Sequence, residues 1–203
     1  MKNLILTLSS VLFLSSLFAQ ERKLTFHKSI TTPFQKKYIT THEVVKGEDR
    51  KLIQFYKEDK SYKVTCAFIK SKDTSIISMP TSGTAIVKKD FKKYGKINFL
   101  LKGIKYELTI YQSYPIFEGA YKNYLFLPFG DNTSGVNTYG SGRYIDLQTT
   151  AIKNNKVIVD FNEAYNPYCA YASGFNCPIP PIENLLKTDI KAGEMNYLKG
   201  VKH

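Results

Sequence analysis

Hydrophobic and polar residues alternate along several stretches of the chain, with the period of two that is typical of a half-buried β-strand. Residues 62–70 show this first, because their apolar side chains would share one face while lysine and threonine side chains frame the other. The apolar set consists of Tyr62, Val64, Cys66 and Phe68. We therefore expect a strand here, with Cys66 in the core as a small hydrophobic residue.

Two further alternating stretches flank a glycine and predict a β-hairpin. Ile97, Phe99 and Leu101 alternate with polar residues, and the pattern resumes after Gly103 in residues 104–110. In this second stretch, isoleucine, tyrosine and leucine would face the core, while Lys, Glu and Thr side chains would face away from it.

Three shorter stretches complete the pattern. Residues 124–129 are apolar on both faces and end at a glycine, which predicts a central strand that enters a turn. Residues 143–147 and 157–161 predict two more strands, and no long stretch has helical periodicity. The sequence therefore predicts a mainly β protein: a single antiparallel β-sandwich or barrel-like domain with about eight to ten strands. We place this domain at residues 51–203, after an extended lead-in at residues 20–50.

The N-terminus has the three parts of a secretory signal peptide. Lys2 is followed by a mostly apolar stretch over residues 4–17, and Ala19 precedes Gln20 at a suitable cleavage point. An uncleaved anchor is the alternative, but the stretch is shorter than the ~20 residues that a bilayer requires. We expect residues 1–19 to be removed, the protein to be periplasmic or secreted, and no transmembrane span to remain.

The positive charge is confined to the first part of the chain. The protein has 203 residues and a formal net charge of +12, with 29 Lys and Arg against 17 Asp and Glu. Up to Lys122 there are 22 basic and 10 acidic residues, whereas the remainder has 7 of each. Proteins that recognise nucleic acids usually depend on arginine for bidentate contacts to bases and phosphates. Only three of the basic residues here are arginine. We therefore expect no nucleic-acid partner, and interpret the lysines as residues that keep a sheet soluble.

Glycine and small polar residues are concentrated in a first segment, residues 129–146. Its four glycines permit positive φ and close backbone approach, and its Asp, Thr, Ser and Asn side chains can bond to the amides of tight turns. The segment is either a hairpin loop that satisfies its own backbone or a backbone nest for an anion. It is not a P-loop, because no Gly-Lys-Ser/Thr and no helical pattern follow the glycines.

Arg143 lies on the predicted core side of its strand, together with Ile145 and Leu147. A charge in that position needs a partner. The carboxylates available in this part of the chain are Asp131, Asp160, Glu163 and Glu183. We expect a structural clamp between Arg143 and one of them, joining the first segment to the second, with a ligand-binding arginine as the alternative.

A second segment, residues 160–184, contains two cysteines and four prolines. In an exported protein, Cys169 and Cys177 are expected to form a short disulfide loop, which would stabilise the fold by about 2 to 3 kcal/mol. Free structural thiols and thiol chemistry are the alternatives. No histidine lies nearby in sequence and the spacing is not that of a zinc site, so we expect neither a metal nor another cofactor.

Both segments resemble the bacterial family catalogued as domain of unknown function 1684. The similarity covers residues 125–129, 131, 133–135, 138–144, 146–147, 160–171, 177–181, 183–184 and 192–194, with weaker matches back to residue 54. The resemblance implies that the two segments form the signature of one domain. Because the family has no established function, it implies no catalytic residue.

We expect a small polar or anionic ligand to bind where the two segments meet. The alternatives are a hydrolase or transferase that uses Asp131, Asp146 or Asp160 as acid or base, and a purely structural domain. The sequence identifies neither the ligand nor the oligomeric state. The candidate ligand-binding residues are Asp131, Thr133, Ser134, Tyr139, Arg143, Tyr144, Asp160, Asn162, Asn166 and Glu183.

Overall fold

A computed structural model describes residues 32–73, 75–83 and 87–200. The predicted signal peptide at residues 1–19 lies outside this range. The described part contains one α-helix and eight β-strands. They are α1 (Pro33–Thr41), β1 (Lys63–Lys70), β2 (Ile76–Ser82), β3 (Lys88–Leu101), β4 (Ile104–Ser113), β5 (Tyr124–Phe129), β6 (Arg143–Gln148), β7 (Lys156–Asp160) and β8 (Cys177–Pro178).

The strands form an antiparallel sheet with the order β6-β5-β4-β3-β1-β7, which confirms the predicted fold class. The long strand β3 pairs with β4 along one edge, and with β2 and then β1 along the other. Its register with β4 shifts between Lys93 and Gly95. A Cβ atom at Gly95 would lie 2.4 Å from the Phe68 ring, so only glycine fits this bend. The resulting sheet is a curled half-barrel.

The main hydrophobic core lies on one face of this sheet. It contains the predicted inward-facing residues of β1, together with apolar side chains of β3 to β7. Leu186, Ile190 and Ala192, from the C-terminal part of the chain, close the core from the other side. The open edge of the curled sheet is therefore covered by chain that forms no strand of its own.

The predicted hairpin is confirmed, with Lys102 and Gly103 at its turn. The predicted burial pattern of β4 holds for Leu108 and Ile110 but is wrong at two positions. Ile104 is 58% exposed, because the tip of the hairpin extends beyond the core. Thr109, expected to face away from the core, is buried.

The prediction of an extended lead-in at residues 20–50 is wrong for Pro33–Thr41, which forms α1. A capping box starts the helix: Thr32 Oγ1 accepts from the Gln35 amide at 3.1 Å, and Gln35 Oε1 accepts from the Thr32 amide at 3.2 Å. Pro33, in the first turn, has the φ that a helix needs. Local capping thus starts a helix here even though the helical pattern of the sequence is weak. Residues 20–31 lie outside the described range.

A second cluster joins α1 to the C-terminal part of the domain. Tyr38 packs against Phe55 and Tyr165, with ring centroids 5.8 and 5.7 Å apart. The same cluster contains Val45, Ile53 and Tyr171. Across the described ranges, no helix is both long and apolar enough to cross a bilayer.

Candidate functional site

Arg143 is fully enclosed on the core side of β6, as predicted from strand parity. Its Nη2 donates to Asp131 Oδ2 at 2.8 Å and to the Ile190 carbonyl at 2.9 Å. Its Nη1 donates to the carbonyls of Ala192 and Glu194. Burial lowers the pKa of Arg143, while the Asp131 charge opposes that shift. The guanidinium is thus a clamp, but it joins the first segment to residues 190–194 and not to the second segment.

The glycine-rich loop satisfies its own polar groups. Asp131 Oδ1 accepts from the Thr133 amide at 2.7 Å and from the Thr133 hydroxyl. The Thr133 and Thr138 hydroxyls lie 3.0 Å apart, and Ser134 Oγ accepts from the Asp131 amide at 3.2 Å. Gly142 has a positive φ, and a Cβ atom there would lie 2.6 Å from both the Phe129 carbonyl oxygen and a Pro180 ring carbon. These contacts fit the hairpin-loop alternative better than an anion nest.

The polar candidates of residues 160–166 are also bonded within the protein. Asp160 caps a 3₁₀ turn by accepting from the Asn162 amide at 3.0 Å, and it forms an ion pair with Lys63 at 3.3 Å. Asn162 in turn bonds both backbone groups of Asp59. Asp160 and Asn162 therefore hold the end of β7 against the chain before β1.

Asn166 contacts Glu194, a fully buried residue that the candidate set did not include. The Asn166 amide donates to Glu194 Oε2 at 2.8 Å, and the Tyr171 hydroxyl donates to Glu194 Oε1. Burial raises the pKa of Glu194 to about 8, against the opposing effect of these hydrogen bonds. Tyr139, another candidate, packs at the edge of the cluster that contains Tyr171.

Asn184 has a structural role that the sequence analysis missed. Pro128 in β5 has no amide hydrogen, so it cannot complete the ladder with β4. The Asn184 side chain instead accepts from the Thr109 amide at 2.8 Å and donates to the carbonyls of Thr109 and Pro128 at 2.8 and 2.6 Å. The neighbouring Glu183 accepts from the Tyr111 hydroxyl at 2.9 Å and pairs with Lys93 at 3.2 Å.

Cys169 and Cys177 form a disulfide, which confirms the predicted pairing. Cys177 also begins β8, which pairs with the end of β2 at Ser82. The pairing of β8 with β2 therefore attaches the second segment to the sheet, and the disulfide links Cys169 to that strand. Cys66 has a free thiol in the core, and burial raises the pKa of Cys66 to about 12.

A cavity of about 1050 Å³, which we call the aromatic cavity, lies on the sheet face opposite the main core. Of the 21 described residues that line it, twelve are Phe or Tyr. Its walls come from α1, the start of β3, the end of β4 with residues 114–121, strands β5 and β6, and residues 165–178 of the second segment. Among the ten ligand-binding candidates, Tyr144 alone is among the described residues that line it.

Asp146 faces the aromatic cavity two residues after Tyr144, on the same face of β6. Its Oδ1 accepts hydrogen bonds from the Tyr124 hydroxyl at 2.8 Å and the Tyr165 hydroxyl at 2.6 Å. Burial raises the pKa of Asp146, although these two hydrogen bonds act in the opposite direction. Strand parity alone could have identified this position, because Asp146 must point away from the core that Arg143 enters.

The mouth of the aromatic cavity contains three other charged residues. Lys88, Lys89 and Asp90 lie at the exposed start of β3, and Asp90 Oδ1 accepts from the Ser78 hydroxyl at 2.5 Å. Within the ranges 32–73, 75–83 and 87–200, no three His, Cys, Asp or Glu side chains are placed to hold a metal ion. The cavity offers aromatic faces, tyrosine hydroxyls and the Asp146 carboxylate, which solvent can reach.

Comparison with known proteins identifies a family but no activity. The sequence profile described as "Protein of unknown function (DUF1684)" matches residues 48–195. No curated protein matches. A similar fold occurs in the solution NMR structure of an uncharacterised protein from Haloarcula marismortui, with a TM-score of 0.60 and 23% identity over 91% of this chain and 97% of that chain. At this level of identity, the similarity shows the fold alone.

Proposed function

Since this chain belongs to the DUF1684 family, which is described only as being of unknown function, we propose its function from its own geometry. We propose that it is an exported β protein that binds a small ligand, with an apolar body and a polar group, in the aromatic cavity. This site adjoins the second segment, where the sequence analysis expected a ligand, but on the sheet face away from Arg143.

The composition of the cavity supports this proposal most directly. Small-molecule sites typically occupy about 300 to 1,000 Å³ and combine apolar walls with a few polar groups that orient the ligand. The aromatic cavity, at about 1050 Å³, is just above that range and has aromatic walls around the Asp146 carboxylate.

The contacts of the other candidates favour a polar ligand over an anionic one. Arg143 was the residue expected to attract an anion, but its four hydrogen bonds within the described residues are all to protein groups in the core. Asp146, in contrast, presents negative charge to the aromatic cavity. We therefore assign the Arg143 cluster to the scaffold and the Asp146 face to the ligand.

Export is supported by two separate features. The first nineteen residues have the pattern of a signal peptide. The bond between Cys169 and Cys177 is of the kind that persists in oxidising compartments. Fractionation of the native host, with detection of the mature N-terminus by mass spectrometry, would test this part of the proposal.

Titration with the neutral fluorophore N-phenyl-1-naphthylamine tests ligand binding. The dye should bind saturably with increased emission, and Ser113→Trp, which adds bulk to the cavity wall, should weaken binding at least about tenfold. The matched control Ile158→Trp, at an exposed position of β7 outside the cavity, should leave binding unchanged. If the dye does not bind, or binds equally well to the Ser113→Trp variant, the proposal is wrong.

A second candidate function is acid–base catalysis by Asp146. The observation that favours it is the raised pKa of a carboxylate that faces a cavity. The aspartates considered with it, Asp131 and Asp160, are engaged in an ion pair and a cap. The test is turnover of a panel of esters and glycosides. Catalysis is supported if the wild type turns over a substrate and Asp146→Asn does not, while the variant still binds the dye. If the wild type turns over none of them, catalysis is eliminated for those substrates.

A further inference from the structure

We propose that the ligand of the aromatic cavity carries a cationic nitrogen, an amine or a quaternary ammonium group, that pairs with Asp146. This inference rests on the proposed function and specifies the chemical class of the ligand. It follows from three features of the cavity: the free oxygen of Asp146, the arrangement of the rings around it, and the distribution of charge.

The Asp146 carboxylate is held in place but is not neutralised. Both tyrosine hydroxyls donate to Oδ1, and no described residue donates a hydrogen bond to Oδ2. No lysine or arginine of the described ranges forms an ion pair with Asp146 either. The Tyr124 and Tyr165 hydroxyls therefore fix the orientation of the carboxylate and leave one oxygen for a ligand.

Aromatic rings surround this carboxylate at steep angles to one another. The rings of Tyr144 and Tyr165 are perpendicular with centroids 5.9 Å apart, and Phe126 meets Tyr144 at 73° and 4.7 Å. Tyr38 lies beyond Tyr165, with a centroid distance of 5.7 Å. A cation is attracted to the face of an aromatic ring within about 6 Å of its centroid, so a cavity of rings around a carboxylate suits a cation with an apolar body.

Charge complementarity distinguishes a cation from the other ligands that fit such walls. Among the described residues that line the cavity, the positive charges are the exposed Lys88 and Lys89, so an anion would face the Asp146 carboxylate without a buried cation to balance it. Lys88 and Lys89 extend from the exposed start of β3, where Asp90 lies beside them. These flexible side chains can turn to solvent, whereas Asp146 is fixed on a strand by two hydrogen bonds. A neutral sugar would use the rings but would not require the charge of Asp146.

Competition against N-phenyl-1-naphthylamine tests the inference, with benzyltrimethylammonium as the cationic probe and benzyl alcohol as the neutral one. Asp146→Asn keeps an oxygen that can accept from both tyrosine hydroxyls, while it removes the negative charge and replaces the other oxygen by an NH2 donor. We expect this variant to lose at least about tenfold more affinity for benzyltrimethylammonium than it loses for the dye or for benzyl alcohol. The matched control Asp90→Asn, at the mouth, should change the affinity for the cation by less than about threefold.

The outcomes separate the two proposals. If the dye binds but the cation binds wild type and Asp146→Asn equally, the cationic ligand is wrong and the binding function stands. If benzoate displaces the dye better than the cation does, the inference is likewise wrong. If the dye does not bind the wild type at all, the proposed function fails and this inference fails with it.

Discussion

Replacing Arg143 with methionine should destabilise the protein by about 3 to 5 kcal/mol, the usual effect of removing one partner of a buried ion pair. Methionine fills much of the arginine volume, so the loss would come from polar groups and not from a large void. The Asp131 carboxylate would remain buried without its countercharge. The carbonyls of Ile190, Ala192 and Glu194 would lose their donors as well.

Urea unfolding followed by tyrosine fluorescence measures this effect as a free energy of unfolding. The matched control is Lys96→Met, which breaks the exposed ion pair between Lys96 and Glu107 at 2.7 Å. That variant should lose less than about 1 kcal/mol, because exposed pairs are well solvated. Adding Asp131→Asn to Arg143→Met should recover part of the loss, since it removes the unpaired charge and keeps an oxygen for the Thr133 amide.

A loss of less than about 1 kcal/mol for Arg143→Met would contradict the assignment of Arg143 to the scaffold, because removal of one partner of a buried ion pair should cost more than that. Dye binding supplies a second readout. The folded Arg143→Met variant should bind N-phenyl-1-naphthylamine with wild-type affinity. Loss of binding at an intact fold would instead place Arg143 in the ligand site.

Three other predictions concern the scaffold. Asn184→Leu should cost about 2 to 4 kcal/mol in urea unfolding, because it leaves buried backbone groups at Thr109 and Pro128 without partners; an unchanged midpoint would contradict this. Burial raises the pKa of Glu194 from 4.5 to about 8. Between these values the folded protein holds a proton that the unfolded chain releases, so the free energy of unfolding should fall as pH rises from about 5 to 8. Glu194→Gln should remove this dependence, and a wild type as stable at pH 8 as at pH 5 would refute it. Reduction of the disulfide should lower stability by about 2 to 3 kcal/mol, measured against a Cys66→Ala control that keeps the bond.

Strand parity predicted most of the fold and the position of Arg143. The alternation in residues 62–70 and the hairpin at Gly103 depend on local pattern, which the structure follows. The same parity places Arg143 in the core and Asp146 on the opposite face of β6. The sequence analysis drew the first conclusion from parity but not the second, so Asp146 was considered only as an acid or base.

The remaining features depend on contacts that local pattern does not encode. The clamp partners of Arg143 include carbonyls of residues 190–194, about fifty positions away along the chain. Asn184 replaces a missing ladder hydrogen bond between β4 and β5, although it lies 56 positions beyond Pro128 along the chain. The aromatic cavity combines α1 with β3, β5, β6 and the second segment, so no single stretch reveals it. Helix α1 was missed because its start is set by a cap and not by periodicity.

The most direct test of the central claim is an NMR titration of ¹⁵N-labelled protein with benzyltrimethylammonium. We predict saturable shifts at residues that line the aromatic cavity, among them Asp146 and Tyr165, with little change at the Arg143 cluster. In Asp146→Asn, the same shifts should require at least about tenfold more cation. Saturable shifts centred on the glycine-rich loop, or none anywhere, would contradict a ligand site at Asp146.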